Sequence, residues 1–419
     1  MNNWPVWKKS IASIFLGLMV SSCAPTLVAT GGIGGTGISW GAVTAFGSVY
    51  VNGVHYDTTQ LESESPQNIW LDGQRGNYSQ LKVGMVLRVY GSINADGLNG
   101  IATGLEYKSL AKGPAYSFND NMDGTGSFTM FGQTVYVNNN TLFDDRRSGG
   151  LVANITTLAG EGENALYLEI SGYQAPAPDN NIYAHRIEVK RNWVNGDSVR
   201  LMGTVGSIIS GSSFTIGSQA IVYDSATDNL NGKYVEVEGT YSGSTFVADM
   251  VTEDELGVNG NDGEEFELEG VVTTVPDVNE RFTLNGQIVQ IVSAGGIPTE
   301  FVGGTAVNLS VSTEVEVEGE FNASGILVAE QIEFDNKGTE IQATGNIDTS
   351  GIDNGARTLM IGGGLYYVVA DTEIRDERSI GRLEQFSFIN FADGMNLDFR
   401  YYVETGSGNS ILTRVDVID

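Results

Sequence analysis

A seven-step stride between glycines limits what this chain can fold into more than any other feature. In Gly232-Lys-Tyr-Val-Glu-Val-Glu-Gly239, Val235 and Val237 alternate with Tyr234, Glu236 and Glu238. Strand side chains point to opposite faces at a period of two, so the valines fill a core while the glutamates face water, as in an antiparallel sheet wet on one side. The stride recurs at Gly84–Gly91, Ala165–Gly172, Ser312–Gly319 and Gly394–Tyr401, making five copies.

Each copy has three parts. A strand pair comes first: Ala42–Gly53 in copy one, Gly203–Ile208 with Ser213–Gly217 in copy three, Gly270–Val275 with Arg281–Val289 in copy four. Within the last, Asn285-Gly286 predicts a type I′ hairpin turn, because both central positions need positive φ. The stride follows, and then a closing strand: Ile101–Glu106, Tyr183–Glu188, Phe246–Val251, Leu327–Glu333 and Ile411–Asp416. Ala102, Ala184, Ala248 and Ala329 each stand three places before a large apolar residue. A position that keeps a small side chain marks a tight corner in a small closed barrel. No amphipathic helix is evident. The expected fold is all-β, a tandem array of about five small antiparallel β-barrels of OB-like form, or sandwiches. Expected boundaries are 38–109, 110–191, 192–263 with an acidic linker, 264–335 and 336–419, each copy a folding unit of its own.

The first residues read as processing signal. Lys8 and Lys9 supply a positive region, Ile11 to Val20 an apolar one, and Ser21-Ser22 lead into Cys23. Val20-Ser-Ser-Cys23 resembles the lipobox of bacterial lipoproteins, which implies a signal peptide over 1–22, lipid on Cys23, and a glycine-rich tether over 23–37. Several acyl chains on one residue give lasting attachment. Ala24 follows where an aspartate would resemble an inner-membrane retention signal, so the expected address is the outer membrane, periplasmic or cell-surface side left open. Cys23 is the only cysteine, so no disulfide is expected and stability must come from packing. Without the signal the chain carries 20 basic against 52 acidic residues, a net charge of −32. That surface repels phosphate backbones and excludes nucleic acid as an expected partner, leaving cations, glycans and envelope proteins.

Cys23, the Gly31–Gly37 spacer and the repeats from Trp40 to Asp419 together resemble a family of Gram-negative lipoproteins built from a repeated glycine-rich β domain of unassigned function. The resemblance implies no catalytic residues.

Two enzyme motifs can be spelled out near the start, and both lack their context. Gly32-Ile-Gly34-Gly-Thr-Gly37, with Asp57 downstream, fits a dinucleotide fingerprint but has no strand before it and no helix after it. Gly37-Ile-Ser39-Trp-Gly41 fits a nucleophile elbow, yet the strand-to-helix turn is missing and only His55 and His185 could serve as partners. Asn119, Asn121 and Asp123 place oxygen side chains at alternate positions before Gly124, as calcium loops do, although Met130 stands where an EF-hand has its glutamate. The other reading is an Asx-rich hairpin turn. Glu253–Glu265 reads as a solvated acidic linker. Glu236 with Glu238, and Glu316 with Glu318, share a strand face that would raise a pKa if buried; on a polar face they are expected to be solvated. Tyr116, Tyr136, Tyr366, Tyr367, Tyr401 and Tyr402 lie in strand-like runs, where packing in cores and in cross-strand pairs is commoner than a sugar platform. The expected function is therefore a non-enzymatic, outer-membrane-anchored structural or binding array, with no cofactor beyond calcium. The alternative is a glycan-active envelope enzyme using loop carboxylates.

Overall fold

Where the stride alternates, the structure puts strand. Val235 and Val237 are fully buried inside a barrel, and Glu236 and Glu238 sit on its outer face. The computed structural model describes residues 36–419, except 65–66, 95–96, 176, 179, 227, 255–262, 264, 312, 335–338, 379–382 and 405–406. Cys23, the signal segment, most of the tether and most of the acidic linker lie outside the described residues.

Every repeat closes a five-stranded barrel. In the first, Thr36–Phe46 pairs with Val49–Val51 and with the stride strand Val86–Ile93; Val54–Asp57 runs parallel to the closing strand Asn99–Tyr107, which is antiparallel to the stride strand. The order 1-2-3-5-4-1, with strands 3 and 5 parallel, returns in the third (Ser198–Glu253), fourth (Glu265–Phe334) and fifth (Ile341–Ile418) repeats. This is the Greek-key barrel of the OB type, not a sandwich. The second repeat follows the same path, but its first strand is split into Ala111–Gly113 and Tyr116–Asp120 around Pro114, which cannot donate to a ladder. Asn285 and Gly286 have φ of 51° and 86° in the hairpin joining Arg281–Leu284 to Gln287–Gln290. The strand of the first barrel begins at Thr36, so Thr36 and Gly37, expected in the tether, pair with Ser92 and Gly91 instead.

The corner is built by the glycine that ends each stride. Gly91, Gly172, Gly239 and Gly319 face Ala102, Ala184, Ala248 and Ala329, each just past a register shift. A Cβ on these glycines would stand 2.0–2.1 Å from a carbonyl oxygen of the closing strand. Such an extra residue bends a strand sharply, and only glycine lets the two backbones approach so closely. The fifth barrel keeps the shift but has Tyr401 opposite Leu412.

Two short helices are not evident in the sequence. Ile155–Glu161 is capped by the Asn154 side chain, which accepts from Thr157 N at 2.8 Å, and it buries Ile155 and Leu158 in the second barrel's core. Thr59–Ser63 buries Leu61 in the first. At five and seven residues they are too short for a helical period to show.

The barrels are not strung in a line. Gly37–Trp40 of the first pairs in parallel with Glu265–Leu268 of the fourth, and Ala111–Lys112 of the second pairs with Arg200–Leu201 of the third, so sheets run across barrel boundaries. The first barrel touches all four others. Val86 N donates to Ser171 Oγ of the second (2.9 Å), Lys108 bridges to Asp254 after the third (2.8 Å), and Thr44 Oγ1 donates to the Ala370 carbonyl of the fifth (3.2 Å).

A candidate carboxylate site between the first and fourth barrels

Alternation in Glu265–Thr274 and Glu314–Phe321 sends Phe266, Leu268, Val315 and Val317 into the fourth barrel's core. It therefore turns Glu267, Glu316 and Glu318 outward. That outer face is not solvent, because the parallel pairing with Gly37–Trp40 lays the first barrel over it. Glu267 keeps 4% of its surface exposed and Glu318 6%, while Glu316 is half-buried. The expectation that Glu316 and Glu318 are solvated thus fails: the sequence sets which way a side chain points, and a neighbouring barrel decides what it meets.

One oxygen from each of the three carboxylates lies within 4.8 Å of the others. Ser39 Oγ donates to Glu267 Oε2 at 2.8 Å and shares a short hydrogen bond with the Tyr56 hydroxyl. Glu267 Oε1 is buried without a hydrogen-bond partner. A cavity of about 30 Å3 adjoins the cluster, lined by Ser39, Tyr56, Gly91, Glu267, Glu318 and Gly319 among others. Burial pushes the Glu267 carboxyl up to about 7, with Asp371 and Glu269 adding to it and hydrogen bonds from Glu316 and Ser39 opposing. Burial, then Glu267, Asp371 and Glu318, hold Glu316 well above the usual carboxylate range.

Other barrel junctions also gather carboxylates, and there they gather cations too. Arg200, 3% exposed along its side chain, lies 2.7 Å from Glu236, 3.3 Å from Glu238 and 3.5 Å from Asp72 of the first barrel, and donates to the Ser109 carbonyl at 3.2 Å. Burial still raises Glu236, with Arg200 opposing. Lys112 bridges Asp72 (2.5 Å) and Glu169 (3.1 Å). Arg186 is buried between Asp144 and Glu188. Burial would raise Glu188, but Arg186 and Lys190 outweigh it and hold the carboxyl at about 2.

The residues singled out from sequence fall elsewhere. Asn119, Asn121 and Asp123 lie at the hairpin between Tyr116–Asp120 and Gly126–Met130. There Asn119 Nδ2 donates to Asn121 Oδ1 (3.3 Å), Asn121 Nδ2 donates to Thr125 Oγ1 (2.9 Å), and Asp123 Oδ1 accepts from Thr125 N (2.9 Å). Met122 N likewise donates to Asp120 Oδ1 at 2.8 Å, so the segment is built of Asx turns. Ser39 sits inside a strand, paired with Val89, and no elbow forms around it. His55 stacks on Tyr50 at 4.4 Å and His185 meets Tyr173 edge-on at 6.4 Å, in different barrels. Tyr366 packs against Phe399 and Tyr401, each at 5.0 Å, but through the fifth barrel's core and not as a cross-strand pair, since its own ladder partners are Leu359 and Ser410. Sequence reasoning misses Glu267. Its signal is the run Glu265-Phe-Glu-Leu-Glu269, three glutamates on one face opposite a second such row in Glu314–Glu318.

Four segments, residues 40–106, 117–188, 202–252 and 269–333, match the profile of one family, described as Domain of unknown function (DUF5666), and together they span more than half of the chain. They fall on the first four barrels. No curated protein matches the chain.

Proposed function

The chain belongs to the DUF5666 family, and on that premise we propose that it is a non-enzymatic β-domain array of the cell envelope, held at the outer membrane by lipid on Cys23. The observation carrying this reading is where the ionisable groups go: Arg200, Lys112 and Arg186 join carboxylates at barrel junctions, so they serve cohesion and not an open cleft. Among the described residues the densest carboxylate cluster adjoins a cavity of about 30 Å3, room for about two water-sized species and not for a sugar, which leaves the glycan-active enzyme with less support. Cell fractionation of Cys23→Ser tests the anchor. The variant is expected in the soluble fraction or unprocessed, and normal membrane retention would refute the reading.

A binding role has its own support in a cleft of about 200 Å3 between the second and fourth barrels, lined by Tyr136, Tyr173, Tyr183, His185 and Glu314. Tyr136 and Tyr183 stack there, 5.3 Å apart and 25° from parallel, and Tyr136 is 41% exposed. Flat exposed rings suit an uncharged sugar face. Glycan-array binding by the full chain, lost in Tyr136→Ala, is the expected result; equal binding by the variant removes this cleft from consideration.

A further inference from the structure

Four of the five repeats lay an extra strand along the far half of the closing strand, and the third does not. Ile69–Leu71, Leu142–Asp145, Glu300–Val302 and the end of Gly364–Asp376 each run parallel to the closing strand of their own barrel. They set Ile69, Phe143, Phe301 and Ile374 opposite Leu105, Ile187, Ile332 and Val415, which are at most 1% exposed. Those four residues in turn face Val89, Ile170, Val317 and Phe399 of the stride strands, and the corresponding pair in the third barrel is Val251 with Val237. On the side of Val251 away from the stride strand, no strand lies among the described residues. Val251 is accordingly only half-buried, Thr252 is exposed, and Met250 keeps 45% of its surface in solvent. The link from Val222 to Tyr234 is too short to carry the strand that the longer links from Asp57 to Val86, from Val137 to Leu166 and from Gln290 to Glu314 provide.

The covered barrels specify what the bare edge lacks. Leu105 N donates to the Asn68 carbonyl at 3.1 Å, and the carbonyls of Tyr107, Val189 and Val417 accept from Asp72 N (2.8 Å), Arg146 N (2.9 Å) and Glu377 N (2.9 Å). By the same register the Val251 N–H and the Glu253 carbonyl point off the open side of the third barrel, a template for strand addition. Three of the extra strands also begin alike. Thr141, Thr299 and Thr372 each donate through Oγ1 to the carbonyl of the corner residue, Ala184, Ala329 or Leu412, at 2.7 Å, and the large apolar residue follows two places later. Thr-x-Phe or Thr-x-Ile is therefore the complement of this edge, with Ala248 in the corner place. Charge narrows the occupant further. Asp249 is exposed with no cation beside it among the described residues, Glu238 opposite Met250 has a side chain 43% exposed, and only Glu253 is matched, by Lys233 at 2.7 Å. A second copy of the chain would set the same acids against these, whereas a strand flanked by lysine or arginine is attracted.

We propose that residues 250–252 are the docking edge for an extended basic segment of another polypeptide, which adds a parallel strand and completes the third barrel as the other four complete themselves. Its threonine hydroxyl bonds the Ala248 carbonyl, and its phenylalanine or isoleucine covers Val251. Main-chain bonds to the Val251 N–H and the Glu253 carbonyl supply affinity, while its basic flanks meet Asp249 and Glu238.

Hydrogen exchange on the full chain, read by mass spectrometry, tests the edge. The amides of 250–252 are expected to exchange at least about tenfold faster than those of 331–333 in the fourth barrel. The synthetic peptide Gly-Lys-Thr-Lys-Phe-Val-Lys-Gly is then expected to protect 250–252, to bind at least about tenfold more weakly when its phenylalanine is made alanine, and to bind more weakly to Asp249→Lys. Equal protection of the two segments in the dilute free chain would mean that the chain's own tether or linker covers the edge, and protection that grows with protein concentration would mean a second copy. Either result overturns the proposal, as does a peptide that leaves 250–252 exchanging freely or whose alanine form binds equally. Binding undiminished in Asp249→Lys, or equal binding by a peptide with glutamate in place of each lysine, overturns the assignment to a basic partner.

Discussion

Arg186 of the second barrel donates through Nη1 to the Val83 carbonyl of the first at 3.0 Å, while its other amino group lies between Asp144 and Glu188. The side chain is 1% exposed, so this contact is a buried charge shared by two barrels. Removing the guanidinium leaves the fully buried Asp144 to Arg146, which donates to the same oxygen at 2.7 Å, and leaves the Val83 carbonyl without its donor. Arg186→Met is therefore expected to lower stability by about 2–3 kcal/mol. Urea unfolding monitored by tryptophan fluorescence measures it; a loss under about 1 kcal/mol would mean that the pair adds little to cohesion.

The corner glycines give a sharper contrast. Gly239→Ala puts a methyl 2.0 Å from the Val247 carbonyl oxygen, so the backbones must part, at a cost of about 2–3 kcal/mol. Gly243, in the turn that follows, has positive φ, and a Cβ there would meet nothing within 4 Å. Gly243→Asn tolerates that φ and is expected to change stability by less than about 0.5 kcal/mol. Thermal melts of the two variants, compared directly, check the pair.

The carboxylate cluster imposes a pH dependence. Folded Glu267 keeps its proton up to about 7, whereas the unfolded chain releases it near 4.5, so the native state binds more protons between these values. Its contribution is present below about 4.5 and is lost as pH rises through about 7, an effect on the order of 3 kcal/mol. Glu267→Gln should flatten this slope without removing it, since burial also raises Glu373 and Asp416. Glu188 acts in the opposite sense and in a separate window, its contribution fading only as pH falls toward 2. Denaturant unfolding across pH about 4.5 to 7.5 reads the slope; an identical slope in the variant would reassign it to other groups.

Shared sheets alter what a single repeat can do alone. A fragment 192–254 contains a closed barrel and should unfold cooperatively, but it lacks the strand Ala111–Gly113 and the Ser109 carbonyl that Arg200 contacts. A fragment 110–254 restores the pairing. The larger piece is expected to melt several degrees higher, and equal midpoints in differential scanning calorimetry would show that the junction is energetically silent.

The barrels were legible because each element that builds them is local. Val235 and Val237 announce a strand by alternation, Asn285-Gly286 announces its turn, and Ala102, Ala184, Ala248 and Ala329 mark the corner opposite the stride glycines. What meets the outer faces was not legible. Glu236 and Glu316 read alike in sequence, yet Arg200 covers one and Glu267 the other, and Ser39 reaches Glu267 from 228 residues away. Alternation separates inside from outside for one barrel and holds no record of a second barrel closing over it.

The parallel pairing of Gly37–Trp40 with Glu265–Leu268 also sets an order of events during biosynthesis. Ser39 and Glu267 are 228 residues apart, so a chain emerging N-terminus first presents the first barrel's strand well before the fourth barrel's first strand follows. Throughout that interval the leading strand carries an open hydrogen-bonding edge, the kind of template on which nascent chains aggregate. Gly37, Ser39 and Gly41 keep one face of this edge free of apolar side chains, while Ile38 and Trp40 on the other face wait for the fourth barrel's core to cover them. The same small residues that let two barrels meet at the end thus shield one face of the newborn strand while its partner is still unmade.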